Sequence, residues 1–196
     1  MKRGRFYRKF IRPAKHAVGY FLIRIIIWKL RWLPRPLVLF GGSVFGKLCY
    51  IFLRKDRKIA LHNLRIAFPK MRVEEIHEIA RQTFIHTGKN LFETVRARKI
   101  VESDKLWEVR GLKHMENYVR NYGGGIVVTG HIGVFELIPG IFAKLGFEVG
   151  AVGRELYDKR VDRLLVRQRR SMGVTNIPSD AGPRAVIRKI REGCRS

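Results

Sequence analysis

The chain has 196 residues, 46% of them apolar, which is enough for one domain of ordinary size plus an appended segment and excludes disorder as the default. Its 41 Lys and Arg against 16 Asp and Glu give a formal net charge of +25, which implies an anionic partner: nucleic acid, a phospholipid surface or an acidic protein. Two distant cysteines, Cys49 and Cys194, with no C-x-x-C spacing, exclude a disulfide framework and a common zinc site, and a reducing compartment is the natural reading.

The basic excess is concentrated at the start, where the residues up to Lys58 include sixteen Lys and Arg and one acid, Asp56. Over residues 18–33, Arg24, Lys29 and Arg31 are interleaved with Phe21, Ile25, Ile26, Ile27, Trp28 and Trp32. A spanning helix needs about 20 apolar residues with few charges, so this stretch reads instead as an interfacial anchor, cations on one side and aromatics on the other, attracted to anionic lipid. The basic arm over residues 2–15 would stay cytoplasmic. No small-residue cleavage site follows, which argues against a signal peptide. The plainer alternative is a buried core helix.

After the Pro34-Arg35-Pro36 break, residues 37–53 read as a second apolar helix, expected to pack on the first. Gly42 and Gly46 stand at the small-x-x-x-small spacing that lets another helix or lipid approach closely. Residues 56–68 form a helical segment ended by Pro69. The next helix has Ile76, Ile79, Ala80, Thr83, Phe84, Thr87 and Leu91 at three- and four-residue steps, with Glu74, Glu75 and Glu78 in its first turns, where the helix dipole favours acids. Beyond a turn at Gly123-Gly124-Gly125 the pattern alternates. A β-branched strand over 126–129 is followed by a helix to Leu145, which Pro139 should kink, and a strand over 147–152. A helix with Val161, Leu164, Leu165, Gln168 and Met172 on one face comes next, then a strand over 175–178 and a helix over 183–191. This alternation predicts an α/β fold with a mostly parallel sheet, in which ligands gather beyond the carboxyl ends of strands. The last residues read as a helix end with a glycine cap.

His131 and Glu136 stand where the expected strand meets the expected helix. An imidazole can take a proton from a hydroxyl near neutral pH, and a carboxylate can hold it in the useful tautomer, so the pair suggests general-base transfer onto an alcohol. On one continuous helix the two side chains would lie roughly 140° apart, so a dyad requires His131 on the turn and Glu136 on the first helical turns. Gly130 and Gly133 supply the backbone freedom for such a turn, and unpaired helix N–H groups could meet an oxyanion. The competing reading makes His131 a strand cap and Glu136 a solvated helix residue. No H-E-x-x-H, G-x-S-x-G, Walker loop or G-x-G-x-x-G occurs.

Four features together resemble the bacterial lipid A biosynthesis acyltransferases, the lauroyl and myristoyl transferases, with which the phosphatidylinositol mannoside acyltransferases share a fold. Residues 57–69 resemble the family's R-x-x-A-x-x-N-L-x-x-A-F-P signature, and Phe84, Gly88 and Glu93 resemble its F-x3-G-x4-E helix. Residues 129–137 resemble its T-G-H-x-G-N-W-E-L block, with Val134-Phe135 in place of Asn-Trp. Val152-Gly153-Arg154 resembles V-x-R.

The resemblance implies a basic arm and anchor helix over 1–33 and an acyltransferase domain over 34–196, with membrane-associated helices leading into helices packed on a sheet of the glycerolipid-acyltransferase type. It implies transfer of a fatty acyl chain from acyl carrier protein or acyl-CoA to a glycolipid hydroxyl at the cytoplasmic face of the bacterial inner membrane, without a covalent acyl-enzyme, cofactor or metal. His131 and Glu136 would be catalytic, and Arg154, Gly130, Gly133 and Arg170 substrate-binding. A further strand and an Asp-Gln block follow, in the family, the Leu-x-x-Gly segment that residues 190–193 resemble. The expectation is therefore a C-terminally truncated chain with an incomplete sheet, and the first alternative is an inactive, membrane-bound fragment. A basic nucleic-acid or membrane-surface binding module is the remaining alternative, disfavoured because the basic clusters flank apolar helices and no stacking motif appears.

Overall fold

The computed structural model describes residues 12–193, so most of the expected basic arm and Cys194 lie outside the described residues. Prolines set the first boundaries. Helix α1 (Arg12–Trp32) stops before Pro34, and α2 (Arg35–Phe52) carries Pro36 in its first turn, where a missing N–H forfeits no helical bond. Helix α3 (Arg54–Ala67) ends at Phe68, because Pro69 pushes the residue before it out of the helical region.

Contacts gather the chain into two units. The first comprises residues 27–96 with 131–134. In it α2 packs chiefly on α4 (Val73–Thr94), where the sequence suggested α1, and the two backbones touch. A Cβ on Gly88 would fall 2.2 Å from the Gly42 carbonyl oxygen, and one on Gly46 would fall 2.3 Å from that of Phe84. Phe45 against Phe92 and Tyr50 edge-on to Phe84 flank the crossing at 5.7 and 5.6 Å between centroids. Burial on α4 follows this contact: Ile76, Ala80, Ile85 and Gly88 are buried, whereas Thr83, Thr87 and Leu91 are exposed. The core stripe is thus turned from the expected one, because the glycines rather than the largest apolar side chains choose the face.

The second unit holds α1 up to Ile26, residues 97–130 and the chain from Phe135 onward. It includes α5 (Ala97–Glu102), α6 (Leu112–Tyr122), α7 (Leu137–Lys144), β1 (Val149–Gly153), α8 (Lys159–Arg170), β2 (Val174–Pro178) and α9 (Gly182–Gly193). Strands β1 and β2 are parallel, with Val149 opposite Val174 and Gly153 opposite Pro178, and α8 is the crossover that parallel pairing demands. The core is Ala97, Val101, Met172 and Val174, packed against Leu137, Ile141, Ala143, Val149 and Ala151.

Three expectations are corrected. Residues 126–129 form no strand: β1 and β2 pair with each other alone among the described residues, so this run has neither a ladder for its backbone nor a face to bury, and Val128 is 90% exposed. His131 therefore does not follow a strand. The helix after it begins only at Leu137, which puts Pro139 in the first turn, where it interrupts no hydrogen bond and no kink is called for. The expected α/β character and parallel pairing are present, with the sheet incomplete as anticipated: among the described residues it is a single pair of parallel strands beside mostly helical elements.

Helix α1 does not sort its charges to one side: Arg24 and Arg31 share a stripe, and Lys29 lies roughly 140–160° round the axis. Phe21, Trp28 and Trp32 are exposed on it. By length and composition α2 is, among the described residues, the one helix able to cross a membrane, with 17% of it buried.

Candidate functional site

Glu136 is the N-cap of α7 and only 7% exposed. A carboxylate withdrawn from water needs a cation and hydrogen bonds, and Arg169 in the last turn of α8 supplies both. Its Nε donates to Oε2 at 2.9 Å and its Nη2 to Oε1 at 2.6 Å, the two-pronged geometry a planar guanidinium offers a carboxylate. The remaining prong, Nη1, donates to Asn176 Oδ1 on β2 at 2.6 Å. Gly153, the last residue of β1, makes room for the arginine: a Cβ there would fall 2.6 Å from Nη1. Two strands, a helix start and a helix end thus fix one negative charge. No buried side-chain polar atom among the described residues lacks a partner.

His131 is exposed and groups with the other unit, in the segment His131–Val134. Gly133 takes a left-handed φ of 63° with open space where a Cβ would point, so the turn uses its glycine; Gly130 has no positive φ. Arg154 is exposed and follows β1 directly, at the carboxyl end of a strand, while Arg170 is exposed on α8. Neither takes part in the hydrogen bonds around Glu136.

Arg169, Asn176 and the spatial role of Gly153 escaped the sequence reading. A signal for Arg169 was present: it lies four residues beyond Leu165 and eight beyond Val161, in line with the apolar stripe of α8, so its side chain is directed inward. A second buried acid, Glu93 of the F-x3-G-x4-E helix, accepts from Arg35 Nε at 2.7 Å within the first unit.

The family model described as bacterial lipid A biosynthesis acyltransferase matches residues 6–195. A lipid A biosynthesis palmitoleoyltransferase of Escherichia coli (strain K12) is 29% identical over 135 residues, 68% of this chain and 44% of the relative. A lipid A biosynthesis acyltransferase of Shigella flexneri matches to the same extent. A lipid A biosynthesis lauroyltransferase of Escherichia coli (strain K12) is 30% identical over 118 residues, 57% of this chain and 37% of the relative. The match spans less than half the length of each of these relatives. No solved structure matches significantly.

Proposed function

This chain belongs to the bacterial lipid A biosynthesis acyltransferase family, and we propose that it transfers a fatty acyl chain from a thioester of acyl carrier protein or coenzyme A to a hydroxyl of a glycolipid such as a lipid A precursor. The observation that carries the reading is the buried carboxylate of the His131–Glu136 motif, which Arg169 holds by both oxygens. A surface glutamate needs no such investment of buried charge.

In this reading His131 takes the proton of the acceptor hydroxyl as its oxygen attacks the thioester carbonyl carbon, and Glu136 orients the imidazole and stabilises the imidazolium. Backbone N–H groups near Ile132 and Gly133 receive the oxyanion. The C–S bond then breaks, the proton passes from the imidazolium to the leaving sulfur, and the products are an ester and a thiol. Gly130 and Gly133 let the backbone approach the substrate, while Arg154 and Arg170 meet phosphate of donor or acceptor, for which a guanidinium is suited. The site works at the cytoplasmic face of a membrane in this reading, and the exposed apolar side chains of α2, among them Leu37, Phe40, Leu48 and Phe52, together with the cations of α3, support membrane association beyond residues 1–33.

Radiolabelled acyl carrier protein and crude glycolipid, incubated with the chain, are expected to yield acylated glycolipid that disappears with His131→Ala and with Glu136→Ala. Product surviving both substitutions would overturn the dyad.

A further inference from the structure

Helix α8 has two faces with different tasks. Arg169 points inward to Glu136, whereas Lys159, Arg163, Arg167 and Arg170 are all exposed. At 100° per residue these four fall within an arc of about 80°, as a straight row about 16 Å long with roughly 6 Å between successive turns. None of the four takes part in an ion pair, whereas nearby Arg160 is bound to Asp158, and Asp162 accepts from the Leu156 N–H. Four aligned like charges repel one another, so the row costs stability unless an anion meets it.

We propose that this row docks an acidic helical segment of the protein that carries the acyl donor, an inference that rests on the acyl-transfer reading. Carboxylates at i and i+4 on a partner helix share the roughly 6 Å step of the arginines, so one helix can match the row charge for charge. A lipid surface fits less well, because no large apolar side chain of α8 is exposed between the cations, in contrast to α2. Nucleic acid fits less well too, since α8 offers no aromatic for bases to stack on. The position suits a donor, because the helix that receives the carrier also holds Glu136.

The test measures binding of fluorescent, unacylated acyl carrier protein to the full chain by anisotropy, which needs no chemistry. Arg163→Glu/Arg167→Glu is compared with Lys113→Glu/Arg120→Glu on α6, which changes the net charge equally at exposed positions. Circular dichroism checks that both fold. Loss of at least tenfold in affinity for the α8 variant alone is expected, with steep salt dependence in the wild type. Equal losses in both variants would reduce the effect to net charge and overturn the docking surface. So would an unchanged affinity for carrier protein accompanied by lost binding to a DNA duplex or to phosphatidylglycerol vesicles. With acylated donors, the α8 variant should raise KM for acyl carrier protein and leave turnover of acyl-CoA unchanged. A wild type that binds carrier protein but transfers from neither donor would remove the acyl-transfer reading and leave the surface standing.

Discussion

Replacing Arg169 by methionine keeps an unbranched side chain of similar reach and removes the charge on which Glu136 depends. The carboxylate side chain is 9% exposed and the guanidinium side chain 11%, so little of the lost interaction can be replaced by water. Two charge-assisted hydrogen bonds to Glu136 and one bond to Asn176 disappear, and an unpaired carboxylate is left in the interior. Breaking a buried pair in this way costs about 3–5 kcal/mol, a third or more of the stability of many domains. Urea unfolding at neutral pH, followed by circular dichroism, should show this loss for Arg169→Met and less than about 0.5 kcal/mol for the exposed neighbour Arg170→Met. Combined with Glu136→Gln, the loss should fall short of the sum of the single losses by about 2–3 kcal/mol, because the neutral amide no longer needs the cation. An Arg169→Met protein within about 1 kcal/mol of the wild type, or additive behaviour in the cycle, would refute the claim that the guanidinium holds this carboxylate.

Gly88→Ala should destabilise by about 1–3 kcal/mol in the same assay, since its Cβ would meet the Gly42 carbonyl at 2.2 Å; a neutral substitution would contradict the close crossing. Gly153→Ala should lower acyl transfer more than it lowers the melting temperature, because it displaces a guanidinium that positions Glu136; equal effects on both would count against that role. Hydrogen bonds from Arg160 hold the Asp158 carboxyl down from its ordinary 3.8 to about 2. A depressed folded-state value stabilises above the unfolded one, so wild type should melt above Asp158→Asn at pH 5–7, and the gap should close as pH falls from about 4 to about 2. A gap unchanged at pH 2 would show that the ion pair is not its source. Phe40→Glu/Phe52→Glu should reduce partitioning onto anionic vesicles, and equal partitioning would remove α2 from the membrane contact.

Features decided by local chemistry were legible in the sequence. Pro34 and Pro69 mark helix limits, the β-branched residues of β1 and β2 lie within one or two residues of their expected places, and Gly42 and Gly46 announce a close approach. What depends on distant partners was not. The run over 126–129 has the composition of a strand, but a strand is a relation between two segments, and no partner segment meets it among the described residues. The acid of the site was legible through its motif, but its cation was not: Arg169 and Arg170 differ by one helical step of 100°, which decides between a buried clamp and an exposed charge. The meaning of Pro139 changes for a related reason: in a helix that begins only at Leu137 it stands in the first turn, where its missing N–H forfeits no helical bond.

The glycine crossing of α2 and α4 restricts how this chain can change. In an ordinary helix interface a larger side chain on one helix can be answered by a smaller one on the other, so many sequences keep the same spacing. Where carbonyls already meet the opposing Cα atoms, there is no side chain left to shrink. Gly42, Gly46 and Gly88 therefore cannot drift by compensated exchange. Any lineage that replaces one of them must reset the distance between the helices, and with it the stacking of Phe45 on Phe92 and of Tyr50 on Phe84.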